Sequence, residues 1–141
     1  MARTKDAGYS GTPLPKKLGI KPGTTVLLVG APRGWEPTLG ELPEGVAVKR
    51  GSIAKADTIL WFASSAKELR GGVRKAARAF TVGLWIAWPK KASGVATDLT
   101  EDVVRGTAIA AGLVDFKVCA IDATWSGLRF ARRKERESTD G

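Results

Sequence analysis

Six short runs of β-branched, aliphatic and aromatic residues along a 141-residue chain constrain the fold of this protein most strongly. Two of them, residues 24–30 (TTVLLVG) and 58–63 (TILWFA), show no alternation of apolar and polar side chains. Uninterrupted apolar runs of this length are typical of strands that are covered on both faces. The other runs lie at 46–50, 82–88, 116–122 and 128–133. We therefore expect a six-stranded sheet with a core on each side.

Two segments between these runs carry helix signals. Ser65 and Glu68 have the spacing of a capping box, and apolar residues then recur at helical intervals. Asp98 and Glu101 have the same spacing, which predicts a second helix that ends near Ala111. Strands that alternate with helices indicate an α/β, Rossmann-like fold with a mainly parallel sheet and helices on both faces.

Three regions follow from this pattern. Residues 24–133 form the α/β body, in which the last two runs are close enough to make an antiparallel hairpin at the C-terminal end. Residues 1–23 are rich in Gly, Pro and Lys and predict an arm that packs on the body. Its expected anchors are Tyr9, Leu14, Leu18 and Ile20. Residues 134–141 are charged and lack apolar anchors, which predicts a disordered tail.

The composition excludes several kinds of site. The chain has no histidine, so a zinc site built on imidazole and a Ser-His-Asp triad are both excluded, and we expect no metal. Cys119 is the single cysteine and lies in an apolar run, where we expect a small buried residue. No signal peptide and no apolar stretch long enough to span a membrane is present, which predicts a cytoplasmic protein with no membrane partner.

Positive charge is the main compositional bias. Lys and Arg number 23 against 14 Asp and Glu, and the net charge of +9 favours anionic partners. Four cations share the outer side of the first long helix: Lys67, Arg70, Arg74 and Arg78. They fit an ordinary solvated face, and they also fit a nucleic-acid backbone, although no nucleic-acid-binding motif accompanies them.

The order of elements, ending in a hairpin, resembles the class I methyltransferases. LGIKPGTTVLLVGAPRGW (18–35) is similar to their cofactor strand and glycine loop, and VGLWIAWPKK (82–91) is similar to their fifth strand. The segments 9–23, 88–94 and 112–122 also resemble a family of short bacterial proteins of unknown function. The resemblance implies a methyltransferase-like fold, shortened here, in a bacterial protein.

The resemblance would place a G-x-G-x-G cofactor loop at Gly30–Gly34, but Pro32 stands where the middle glycine is expected. Proline removes an N–H donor and adds bulk beside the ligand. The second strand of these enzymes usually ends near an acid that binds the ribose, whereas here it ends in Lys49 and Arg50. Only seven residues separate Arg50 from Thr58, too few for the usual helix and strand. We therefore predict no cofactor, with S-adenosylmethionine as the alternative.

Ligands of open α/β sheets lie beyond the carboxyl ends of the strands. The residues expected there, and hence the candidate ligand-binding set, are Gly30, Pro32, Arg33, Gly34, Lys49, Arg50, Ser64, Ser65, Trp88, Lys90, Lys91 and Trp125. Their charge favours an anionic ligand, although both tryptophans could instead close the sheet edge and both lysines could lie in a solvated turn. Asp122 is a weak candidate for proton transfer, because a lone aspartate at a hairpin more often fixes the turn.

Three functions fit these observations. The preferred one is a non-enzymatic, methyltransferase-like domain that binds an anionic small molecule or a protein partner at the carboxyl edge of the sheet. The first alternative is a compact S-adenosylmethionine-dependent methyltransferase. The second is a basic protein associated with nucleic acid. The sequence leaves the oligomeric state open.

Overall fold

The computed structural model describes residues 12–133, which form a six-stranded sheet flanked by helices. The strands are β1 (Thr25–Val29), β2 (Ala47–Arg50), β3 (Ala56–Phe62), β4 (Phe80–Pro89), β5 (Leu113–Ala120) and β6 (Trp125–Arg132). Their spatial order is β2-β1-β3-β4-β6-β5. β1 to β4 are parallel, and β6 runs antiparallel to both β4 and β5. The predicted sheet and its C-terminal antiparallel hairpin are confirmed.

The helices cover the two faces unequally. They are α1 (Leu14–Lys17), α2 (Ala66–Ala79) and α3 (Glu101–Ala110), with two 3-10 turns at Glu36–Leu39 and Lys91–Ser93. α2 and α3 pack together on one face. The opposite face is covered by the segment around α1 and by the loop after β1. Prolines and glycines in that loop limit it to a single short 3-10 turn.

β3 shows why the apolar runs are continuous. Ile59 and Trp61 point into the core beneath α2 and α3, whereas Leu60 and Phe62 point into the core on the opposite face. Every one of these side chains is buried. Trp85, on β4, is buried in the same way, so the prediction that Trp61 and Trp85 belong to the core is confirmed.

The capping box at the start of α2 is confirmed. The Ser65 hydroxyl accepts from the Glu68 backbone N–H at 3.1 Å, and the Glu68 carboxylate accepts from the Ser64 N–H at 2.9 Å. A third contact comes from far along the chain, because Asp98 Oδ1 accepts from the Ala66 N–H at 2.8 Å. Ser65 and Asp98 therefore accept from two N–H groups in the first turn of α2, and Glu68 accepts from the Ser64 N–H just before the helix.

The prediction that Asp98 opens the second helix is wrong. α3 begins three residues later, at Glu101, and the Thr100 hydroxyl caps it by accepting from the Val103 N–H at 3.2 Å. Asp98 and Thr100 are both good cap residues, and spacing alone does not decide between them. Because the Asp98 side chain bonds to the start of α2, Thr100 is the residue that caps α3.

The link between β2 and β3 is as short as the sequence suggested. Five residues, 51–55, carry the chain past β1, which lies between the two strands. Six Cα steps reach at most about 20 Å, and two strand spacings take up about 10 Å of this. The crossing is possible without a helix because β2 has only four residues, so the chain has little distance to return.

The arm is anchored by two of its expected residues. Leu18 and Ile20 are buried on the face opposite α2, and Leu14 packs against them. The Trp85 indole N–H donates to the Leu18 carbonyl at 3.0 Å. Tyr9 and the tail at 134–141 lie outside the described residues.

Candidate functional site

Two glycines with left-handed backbone conformation bound the loop after β1. Gly30 has φ of 72°, and a Cβ there would lie 2.8 Å from the Phe62 carbonyl oxygen. Gly34 has the same φ, but no atom would lie within 4 Å of its Cβ. Gly30 therefore allows β1 and β3 to approach each other closely, whereas Gly34 borders open space.

Arg50 holds this loop in place. Its guanidinium donates to the carbonyl oxygens of Ala31 and Pro32 at 2.7 and 2.9 Å. It also forms a bidentate pair with the Glu36 carboxylate, both distances being 2.9 Å. Arg50 was expected to face an anionic ligand, but the structure commits its guanidinium to the protein itself.

Glu36 places an acid beside the end of β2. The hydrogen bond from Arg50 lowers the pKa of Glu36 from 4.5 to about 2, so the side chain is a carboxylate at neutral pH. It is 41% exposed and can be reached from solvent. The sequence suggested only cations at this position, because the acid comes from the preceding loop rather than from the strand. Nothing in the local pattern around Glu36 reveals its pairing with Arg50.

Aromatic side chains fill the space next to the loop. Trp35 is 5% exposed and meets the Phe62 ring edge-on, with centroids 5.0 Å apart. Trp125 meets the same Phe62 ring edge-on, with centroids 4.9 Å apart. Trp125 is half-buried and packs against the core on this face, which favours closing the sheet edge, one of the two roles that the sequence left open.

Asp122 organises the turn before β6. Its Oδ2 accepts from the Trp35 indole N–H at 2.9 Å. Its Oδ1 accepts from the backbone N–H groups of Thr124 and Trp125 at 2.8 and 2.9 Å. These bonds account for Asp122 as the residue that fixes the turn and joins the hairpin to the first loop.

The remaining expected residues lie in different surroundings. Ser64 and Ser65 serve the cap of α2. Beyond β4, Trp88 is buried and the Lys90 N–H donates to the Thr124 carbonyl at 2.7 Å. Lys91 and Trp88 line a cavity of about 500 Å³ that extends to Val95, Thr97 and Glu101. The candidate set is thus divided among the β1 loop with the end of β2, the cap of α2, and the end of β4 with the start of β6.

The four cations that the helical spacing places on the outer side of α2 are exposed. Lys67, Arg70, Arg74 and Arg78 make no hydrogen bond or ion pair within residues 12–133. Binding of nucleic acid by this face stays a prediction.

Three other possibilities concern residues 12–133: a metal site, a membrane-spanning helix and a reactive cysteine. No group of three or more Cys, Asp or Glu side chains there could hold a metal ion. None of the described helices is both long and apolar enough to cross a membrane. Cys119 is half-buried, and burial raises the pKa of its thiol.

Several solved structures of methyltransferases have a fold similar to that of this chain. A Sulfolobus solfataricus protein assigned to the type 11 methyltransferases superposes with a TM-score of 0.61 at 15% identity, covering 86% of this chain and 90% of that one. A SAM-dependent methyltransferase from Aquifex aeolicus gives 0.57 at 18% identity, covering 82% and 85%. The magnesium protoporphyrin IX methyltransferase of Synechocystis, solved with bound SAH, gives 0.56 at 12%, covering 81% and 76%.

No family model matches the chain, and no curated protein matches its sequence. At identities below 20% the structural likeness concerns the fold alone. The chain therefore has the Rossmann-like fold of the class I methyltransferases, as the sequence resemblance implied.

Proposed function

We propose that this protein binds S-adenosylmethionine at the carboxyl edge of its sheet and acts as a compact methyltransferase. The fold supports this proposal, and one observation carries it: Glu36 provides an ionised, exposed carboxylate at the end of β2. The absence of an acid at this position was one of the three objections that the sequence raised, together with Pro32 and the short link after β2. The first loop removes that objection by bringing its own acid.

The residues of the loop fit an adenosyl ligand in three respects. A carboxylate has about four lone-pair positions, so Glu36 can accept from two ribose hydroxyls while it stays paired with Arg50. Gly34 leaves open space above the backbone, where a ligand can approach closely. Arg33 is exposed and could bind the carboxylate of the methionine part. Pro32 contributes no N–H, so one backbone donor is missing.

S-adenosylmethionine supplies a methyl group on a positively charged sulfur, from which it passes to a nucleophile of the substrate. The chain's own residues bind and orient the two reactants. The cavity beside Trp88 and Lys91 lies at the same edge of the sheet and would take the methyl acceptor. Its apolar wall at Val95 and Leu99 favours an acceptor with an apolar body.

Isothermal titration with S-adenosylmethionine and S-adenosylhomocysteine tests the proposal. We expect micromolar binding to the wild-type protein and about tenfold weaker binding to Glu36→Ala, because hydrogen bonds to a charged group are lost. Glu41→Ala is the matched control, since Glu41 is exposed in the same loop and makes no hydrogen bond within residues 12–133. No binding at millimolar ligand, or equal affinity in all three proteins, would refute the proposal.

A domain that binds an anionic small molecule or a protein partner without a cofactor is the second candidate. Pro32 favours it, as do the exposed cations Arg33 and Lys49 beside the loop. ATP serves as the anionic probe in the same titration. Binding of ATP without binding of S-adenosylmethionine would favour this candidate, and transfer of labelled methyl groups to a component of a cell extract would exclude it.

A further inference from the structure

A groove separates α2 and α3 on the side of these helices that faces solvent. Its volume is about 500 Å³, within the range of sites for small molecules. The lining residues are Arg70, Val73, Arg74, Asp102, Val103, Gly106, Thr107, Ala110 and Ala111. The groove lies on the helical layer, apart from the loops at the carboxyl edge that the proposed function uses.

The floor of the groove is apolar, and the α3 side of the groove includes a glycine. Val73 is 4% exposed, and Val103 and Ala111 pack against the same core. Gly106 has no side chain, and a Cβ built there would meet no atom within 4 Å. Asp102 and the C-cap Ala111 are nine positions apart, so the groove extends about 13 Å along α3. A groove of this length with an apolar floor matches an extended alkyl chain.

Two arginines, Arg70 and Arg74, form the α2 wall of the groove. Arg70 and Arg74 are four residues apart on the same helix, where like charges destabilise one another. Neither makes a hydrogen bond or ion pair with any residue of 12–133. The acid in the lining, Asp102, lies 3.4 Å from the Arg105 guanidinium on its own helix. The wall therefore offers two guanidinium groups whose planar geometry suits a carboxylate.

We infer that the groove between α2 and α3 binds a free amphiphilic carboxylate, an unbranched acyl chain of medium length with its head group between Arg70 and Arg74. The chain lies over Val73, Val103 and Ala110, and the carboxylate reduces the repulsion between the two guanidinium groups. Charge complementarity selects an acid over an alcohol or an amine of the same length. Arg70 and Arg74 thereby acquire a role distinct from that of Lys67 and Arg78.

Titration with decanoate, decanol and decylamine tests the inference. We expect decanoate to bind with a sub-millimolar Kd, because a ligand of this small size gains limited binding energy. Decanol should bind at least about fivefold more weakly than decanoate, and decylamine more weakly still. Gly106→Leu should abolish decanoate binding, because Gly106 lines the groove, a Cβ there meets no atom within 4 Å, and the rest of the side chain would occupy the space of the ligand. Gly71→Leu is the matched control, since it adds the same side chain in open space on α2 outside the groove.

Variants that remove a charge provide a second test, which is independent of the Gly106→Leu variant. Arg74→Gln should weaken decanoate binding about fivefold or more, whereas Arg78→Gln, outside the lining, should leave it unchanged. Equal losses in both variants would indicate a general attraction by the whole basic face, as nucleic acid would show, and would overturn the inference. Absence of decanoate binding, or binding equal to that of decanol, would also overturn it. Either result leaves the adenosyl site at Glu36 untouched, because the two ligands are titrated separately.

Discussion

At the scale of single residues, Gly30 and Gly34 share one backbone conformation in different surroundings. Both have φ of 72°, where an L side chain is strained. Only Gly30 has a neighbour, the Phe62 carbonyl, at the position of a Cβ. The sequence indicated both glycines through their loop pattern, but it could not distinguish the glycine that permits close packing from the glycine that borders open space.

This difference predicts unequal costs for the same substitution. Gly30→Ala should lower the free energy of unfolding by about 3 kcal/mol, because backbone strain adds to the clash with the carbonyl oxygen. Gly34→Ala should lower it by about 1 kcal/mol, from strain alone. Urea unfolding of both variants measures the two values. Equal losses would show that the contact with Phe62 does not constrain the loop.

The Glu36 and Arg50 pair gives the stability a defined dependence on pH. The pKa of Glu36 is about 2 in the folded protein and 4.5 ordinarily, so the folded state resists protonation. Its stabilising effect is complete above pH 4.5 and is lost as the pH falls through about 2. We expect the stability of the wild-type protein to fall more steeply across that range than the stability of Glu36→Gln.

Urea denaturation at several pH values between 5 and 2 measures the free energy of unfolding of both proteins. Asp57 and Asp115 also have lowered pKa values, held down by hydrogen bonds from Thr81 and Arg105 respectively. Both remain in Glu36→Gln, so the difference between the two proteins isolates Glu36. Parallel curves from pH 5 to pH 2 would contradict the pairing.

At the scale of elements, the sequence predicts what is local. The capping box at Ser65 and Glu68 placed the start of α2 correctly, because both partners lie within one turn. Asp98 was misplaced because its partner, the Ala66 N–H, is 32 residues away. Glu36 was overlooked for the same reason, since its partner lies on the following strand. Elements follow from periodicity and caps, whereas contacts between elements require the fold.

The hydrogen bond by which Asp98 caps α2 can be tested directly. Asp98→Ala should destabilise the protein by about 1 kcal/mol, the usual cost of losing a helix cap. Asp98→Asn should cost less, since its amide oxygen can accept from the same N–H. Thermal unfolding compares the three proteins. If the alanine and asparagine variants unfold alike, the hydrogen bond to Ala66 contributes no stability.

At the scale of the whole molecule, the order of strands places the loops in a shortened methyltransferase-like frame. The link of five residues between β2 and β3 leaves no room for a further strand, so β2 forms the edge of the sheet. The surface beyond the carboxyl ends of β1 and β2 is therefore built by the β1 loop, where Glu36 and Arg50 meet. The sequence predicted the fold and the shortness of the link, because both follow from the order and length of apolar runs. It could not predict that one loop would supply the acid and another element its partner.

The central claim, that an adenosyl ligand binds over the β1 loop, is tested most directly by NMR of the labelled protein titrated with S-adenosylhomocysteine. The amide signals of glycines are well separated and sample the whole fold. We predict that the signals of Gly30 and Gly34 shift strongly, whereas those of Gly106 and Gly112 stay in place. No shift at millimolar ligand, or shifts centred on Gly106 between α2 and α3, would contradict the claim.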